Sequence, residues 1–156
     1  MTESPSVLIR EAVIDDVEAL VALLVGGTLS PEHEELEDLE PYRAALAAIA
    51  ADEQLMILVA ELDGVVVGMG QLIFFRHLQH RGGLCAELES LHVASALRGR
   101  GIGRELLTRA TTIAAERGAY RLQLTSNLQR TDAHRFYVRE GFLGSHLGFK
   151  RPLPFT

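Results

Sequence analysis

Between Arg98 and Arg104 the chain reads Arg-Gly-Arg-Gly-Ile-Gly-Arg, so Gly99, Gly101 and Gly103 alternate with charged or apolar neighbours. A residue without a Cβ lets a ligand approach the backbone closely. The N–H groups that open a helix lack partners within it, and the helix dipole adds positive charge there. A glycine turn leading into a helix is therefore an anion site. Arg98, Arg100 and Arg104 add full charges and forked donors that suit phosphate oxygens. Just upstream, Glu87 and Glu89 interrupt an otherwise largely apolar run from Leu84 to Val93. Burying a carboxylate is costly. Either the strand is half-exposed and both groups are wet, or they line a cleft that needs a base or receives a cation.

Two common phosphate loops are excluded. No Gly-Lys-Ser/Thr ending follows the turn, so it is not a nucleoside-triphosphate loop. A dinucleotide fingerprint needs glycine at the first, third and sixth positions. Counted from Gly99 the sixth residue is Arg104, and counted from Gly101 it is Leu106.

Arg98-x-x-Gly101-x-Gly103 follows a strand-like run and opens an amphipathic stretch. Asn127 and Ala133-His-Arg-Phe-Tyr-Val-Arg-Glu-Gly-Phe142 come after it. This combination resembles the GNAT superfamily of acyl-CoA-dependent N-acyltransferases, most strongly over residues 87–142 and weakly before Met56. The segment from Leu124 to Tyr137 looks most like the aminoalkylphosphonate N-acetyltransferase branch. An anionic phosphonate would need basic partners, for which Arg130, Arg135 or Lys150 could serve, whereas the acidic run 32–40 pulls the other way.

The resemblance implies an α/β fold: a mixed, mostly antiparallel sheet flanked by helices, with a splayed parallel pair at its centre. It implies acetyl-CoA as co-substrate and no metal. Cofactor contacts would come from the main chain around Leu91, His92 and Val93, from Arg98, Gly99, Arg100, Gly101, Ile102, Gly103 and Arg104, and from Asn127. A bulge near Leu91, usual in the family, would splay the strand and admit the pantetheine arm, which pairs with it as an added strand would. Acetyl transfer needs a neutral amine, a polarised carbonyl and a proton for the departing thiolate. Glu89 and then Glu87 are the candidate bases, and the Val93 N–H is the candidate donor to the carbonyl. Tyr137 matches the family tyrosine that reaches the coenzyme sulfur, and a phenol with a pKa near about 10 is a suitable acid. His92 alternates with Glu87 and Glu89 on a regular strand, which favours a supporting or core role for its side chain. His134 either contacts the acceptor or caps local backbone. The expected reaction is acetylation of a primary amine on a small molecule. A peptide acceptor and a non-catalytic acyl-CoA sensor are the alternatives. Dimers are usual in the family.

Strands are expected at 7–10, 56–62, 65–75, Leu84–Val93 and 120–125, with Asp63-Gly64 as a hairpin turn. Helices are expected from Val17, with Asp15 or Asp16 at the cap and Gly26-Gly27 as the stop, and over 42–51, 104–117 and 131–141. Residues 142–146 and 147–153 read as final strands. The strand–helix–strand order over 84–125 implies a parallel pair through a right-handed crossover. Glu32, Glu34, Glu35, Glu37, Asp38 and Glu40 form either a solvated acidic surface or a wall that favours a cationic amine. His77 and His80 alone make a weak metal pair.

The chain of 156 residues suits one domain, spanning 1–156. Hydrophobic residues make up 47% and charged ones 23%, as in a globular protein. A net charge of −6 argues against nucleic-acid binding, so the arginine turn is a local basic site. Cys85 is the only cysteine, which excludes an internal disulfide and suits the reducing cytoplasm. No apolar run approaches the roughly 20 residues that span a membrane, and the start lacks a signal peptide's pattern.

Overall fold

The computed structural model describes residues 6–154, so the outermost ends of the expected domain lie outside the described residues. The chain forms two compact units, one through Gln123 and one from Leu124 onward.

The first unit is built on a five-stranded sheet in sequential order. Its strands are β1 (Leu8–Glu11), β2 (Leu55–Leu62), β3 (Val65–Arg76), β4 (Leu84–Val93) and β5 (Ala119–Gln123). The first four pair antiparallel and β4–β5 is parallel. Asp63 and Gly64 turn β2 into β3 with φ of 50° and 78°, the left-handed geometry that a two-residue hairpin requires. The helices are α1 (Val17–Gly27), α2 (Glu40–Ala50) and α3 (Ile102–Glu116).

Each sheet face has its own helical cover. Val17, Leu20, Val21 and Leu23 of α1 and Leu46 of α2 bury Ile57, Val59 and Met69. On the other face, α3 turns Leu106, Leu107, Ala110, Ile113 and Ala114 inward at helical spacing. Leu106 comes so near Gly68 that a Cβ there would stand 3.0 Å from its Cδ1. The start of α1 is held by charge rather than by a side-chain cap. Asp16 accepts two bonds from Arg10, at 2.7 and 3.0 Å, and one from the Val13 N–H at 2.8 Å. Arg10 also donates to Glu61 at 2.8 Å, which ties β1 to β2. The Arg10 bonds, helped by the Val13 N–H, hold the Asp16 carboxyl below the usual range despite its burial.

One expectation is met with an addition, and two need correction. α1 stops at the expected glycine pair, with Gly27 its last residue and the Thr28 N–H on Leu24 O at 2.9 Å. Gly27 serves packing as well as termination, as described below. Residues 142–153 form no strand. Leu143, Leu147, Phe149 and Leu153 keep a period of two but stand exposed, because alternation does not supply the neighbouring strand that backbone groups require. In consequence the parallel pair lies at the end of the described sheet, not at its centre.

The second unit holds α4 (Thr131–Arg139), with Asp132 in its first turn, where it suits the dipole. Among the described residues no helix is long and apolar enough to cross a membrane.

Candidate active site

The arrangement starts from one residue of β4. Ser90 has φ of 53°, a left-handed conformation that is uncommon for a residue with a Cβ. The β3–β4 register shifts here: Gln71 faces Glu89, but Met69 faces His92. Three residues of β4 thus span two of β3, which is a bulge. Gly70 sits opposite it, and a Cβ there would stand 3.3 Å from Leu88 and 3.5 Å from Leu91. Leu88 and Leu91, three apart, therefore share one face.

The shift in parity sorts the candidate residues. Paired residues point to the same side of a sheet, so Glu87, opposite Ile73, and Glu89, opposite Gln71, share a face with His92, opposite Met69. That is the face covered by α1. Leu91 and Val93 belong to the α3 face. On a regular strand Glu87, Glu89, Leu91 and Val93 would align and His92 would oppose them; the bulge reverses this for everything past Ser90. His92 packs directly under the end of α1, where a Cβ on Gly27 would fall 2.2 Å from its Nδ1.

Glu87 is half-buried and accepts a hydrogen bond from Gln123 Nε2 at 2.7 Å. The same amide turns its Oε1 to Cys85 Sγ at 3.6 Å. Cys85 is fully buried beside it. The parallel ladder ends at the Glu87–Gln123 pair, while β4 continues to Val93. The Ala94 N–H donates to Val67 O at 2.8 Å, toward β3. Main-chain N–H groups alternate in direction along a strand, so the Val93 N–H points to the opposite edge, past the last pair with β5. This is the edge on which a strand-like ligand could pair.

The arginine turn follows. Gly99 and Gly101 have φ of 78° and 87°, and Gly101 stands immediately before α3. Gly101, the N-cap, has no side chain with which to cap that helix, and a helix start of this kind suits an anion. The side chains of Arg100 and Arg104 are exposed. Ile102 is the exception in the run: it is buried and anchors the first turn of α3. Gly103 is half-buried at the next position. Arg98 is turned back on the fold. Its Nε donates to Val93 O at 3.2 Å and its Nη2 to Gly26 O at 3.5 Å, linking the ends of β4 and α1.

In the second unit, Asn127 Oδ1 accepts the Gln129 N–H at 2.9 Å, which makes Asn127 a turn residue. Its carbonyl receives the Arg130 N–H and lies 2.9 Å from His134 Nε2, so His134 braces the entry to α4. Tyr137 is half-buried and packs on Phe136 and Phe142, with ring centroids 5.2 and 5.8 Å away.

Elsewhere, His77 Nδ1 lies 2.7 Å from the Tyr120 hydroxyl and His80 stacks on the same ring, so these two form an aromatic cluster. In the acidic run, Glu34 accepts from the Tyr42 hydroxyl at 2.8 Å, and Glu32, Glu35, Glu37 and Asp38 are exposed. Sequence reasoning missed Gln123 and the facing of the His92 side chain. The only sequence signal for the latter is indirect, a glycine pair at the end of α1 where one glycine would suffice to stop a helix.

Comparison with known proteins agrees with this architecture. The pattern of the acetyltransferase (GNAT) family matches residues 21–142. The chain belongs to that family and is an N-acetyltransferase. Members of the family use acetyl-CoA as a co-substrate. An aminoalkylphosphonate N-acetyltransferase from Salmonella typhimurium is 35% identical over 145 residues, covering 93% of this chain and 90% of that protein. A crystal structure described as a transcriptional regulator from Bacillus halodurans superposes with a TM-score of 0.91 at 37% identity, covering 95% of this chain and all of the other. A solved structure described as a putative acetyltransferase from Agrobacterium tumefaciens gives a TM-score of 0.84 at 26% identity, covering 93% of this chain and 99% of the other.

Proposed function

We propose that this enzyme transfers acetyl from acetyl-CoA directly to the primary amine of a small molecule. The observation that carries this is that the ladder with β5 ends at the Glu87–Gln123 pair while β4 continues to Val93 and runs into the glycine turn at the start of α3. The pantetheine arm would pair with the main chain of Leu91 and Val93. The pyrophosphate would rest on the N–H groups around Gly101, Ile102 and Gly103, beside Arg100 and Arg104. The Val93 N–H is directed to the edge where the thioester carbonyl would lie. Asn127 would bind the arm through its amide NH2, since its oxygen is engaged by the turn.

The amine would approach the α1 face, where Glu87 and Glu89 attract an ammonium group. Glu89 is the first carboxylate for this role, because it lies nearer than Glu87 to the strand end where the thioester carbonyl would lie. Tyr137 is our candidate for the acid that protonates the leaving thiolate. The small-molecule acceptor is supported by the name of the Salmonella relative. The family match runs across both compact units, which supports reading them as one catalytic domain.

The test is thiol release from acetyl-CoA with aminoalkylphosphonates, polyamines, aminoglycosides, amino acids and short peptides, against a blank without amine. Release with one small-molecule class is the expected result. Release only with peptides would move the acceptor to a protein terminus or lysine. Saturable acetyl-CoA binding without release would leave a sensor. Tyr137→Phe should lower kcat by about 100-fold with little change in the KM for acetyl-CoA; an unchanged kcat would remove Tyr137 from the mechanism.

A further inference from the structure

We propose that the imidazole of His92 takes the proton that the acceptor ammonium must lose, while Glu89 holds that ammonium by charge. This deepens the acetyltransferase reading above and rests on it. The observation behind it is the bulge at Ser90, which brings His92 onto the same face as Glu87 and Glu89. Glu89 and His92 face β3 positions two residues apart, so they are same-face neighbours about 7 Å apart along the sheet.

Chemistry separates the two side chains. An ordinary carboxyl has a pKa near about 4 and an alkyl ammonium near about 10, a poor match for proton transfer. Imidazole titrates near about 6.5, much closer to a working pH around 7. Glu89 is therefore better suited to attracting the cation than to deprotonating it. The surroundings of His92 fit a group that must carry a proton briefly. The carbonyl end of α1 lies over it at Gly27, and that end of a helix favours a cation. From β4, Glu87 and Glu89 share its face and add negative charge. From β3 the facing residues are Met69 and Gln71, which carry no charge. Arg98, bonded to Val93 O and Gly26 O, is the opposing charge at the strand end.

The step balances. The ammonium gives one proton to neutral His92 and becomes an amine. The amine nitrogen forms a bond to the thioester carbonyl carbon. The carbon–sulfur bond then breaks and its electron pair leaves on the thiolate, which is protonated to free coenzyme A. The amide nitrogen sheds its second proton to solvent, and His92 releases the proton it took.

Three variants test this in the full chain: His92→Gln, which keeps a polar side chain that does not titrate, Gly27→Ala and Glu89→Gln. His92→Gln should lower kcat by roughly 100-fold and abolish the rise of kcat/KM with pH through the histidine range. Its acetyl-CoA affinity and thermal midpoint should stay near wild type. Gly27→Ala should reproduce part of that loss by displacing the ring, and Glu89→Gln should chiefly raise the KM for the amine. A His92→Gln enzyme with the wild-type rate and pH profile would overturn the proposal while leaving the acetyltransferase reading intact. A wild-type protein that acetylates no amine would strike the function instead. In that case, NMR titration of the His92 ring decides the local claim. Glu89→Gln should shift its midpoint downward, and an unmoved midpoint would overturn the pairing.

Discussion

The glycine turn after β4 and the carboxylate face of β4 are separated by only a few residues, yet they are specified in opposite ways. The turn is written residue by residue. Gly99 and Gly101 occupy left-handed positions that glycine alone takes without strain, and α3 begins directly after them. The face depends on one backbone irregularity at Ser90, a residue whose type does not announce a positive φ. Reading the strand as regular misplaces every side chain beyond it, because one extra residue inverts the alternation. A turn built from special residues is therefore legible locally. A strand face built from ordinary residues is legible only once the register is known.

The sharpest way to break this contrast is Ser90→Val. A β-branched side chain at φ of 53° is strained, by about 1–3 kcal/mol, and favours a regular strand. If the bulge is lost, His92 and the carboxylates no longer share a side. We expect kcat/KM for the amine to fall by about 100-fold, about 2.7 kcal/mol at the transition state, with the protein still folded by circular dichroism. Retention of activity would mean that the bulge survives the substitution or that the face is not used.

A change remote from both regions separates stability from chemistry. Asp16→Asn weakens the ion pair to Arg10, in a site where Asp16 is 9% and Arg10 28% exposed. The expected loss is about 2 kcal/mol, below the cost of breaking a fully buried pair. Because the folded state depresses the Asp16 pKa, its contribution is present above the unfolded value near about 4 and lost as pH falls through the lower folded value. Urea melts at neutral pH should therefore show the full difference from wild type, and melts below about pH 3 should show it shrinking. Rates at saturating substrates should be within about twofold of wild type where both proteins are folded, since Asp16 faces Arg10 and Val13.

On the turn, Gly101→Val should raise the KM for acetyl-CoA by roughly tenfold and leave the pH profile unchanged. Beyond the adjoining backbone nothing lies within 4 Å of an added Cβ, so the penalty comes chiefly from the positive φ of Gly101. A shift in the pH profile, or an unchanged KM, would blur the division between the proposed cofactor turn and the proposed acceptor face.

Much of the fold could be read from the chain alone. The Asp63-Gly64 hairpin, the extent of β4 and the apolar stripe of α3 follow from turn chemistry and periodicity. What could not be read depends on partners distant in sequence. Gln123 is an ordinary strand residue until the parallel register sets it beside Glu87. Gly26 and Gly27 read as a helix stop, and α1 does end there, but nothing local shows that Gly27 also makes room for His92, which lies on β4. Residues 142–153 show the converse: strand-like alternation at Leu143, Leu147, Phe149 and Leu153 without a strand.

The smallest expected effect is also the most discriminating. Ser90→Gly keeps the bulge and removes the strain of a Cβ at positive φ, while loosening the unfolded chain. These contributions oppose each other, so stability should change by no more than about 0.5 kcal/mol, and every kinetic constant should stay near wild type. Together with a damaging Ser90→Val, this would show that the position is selected for its backbone conformation and that the serine hydroxyl is dispensable. If Ser90→Gly instead lost activity as Ser90→Val does, the hydroxyl would have a role of its own. The difference between turn and face would then narrow, since both would be written in side-chain chemistry.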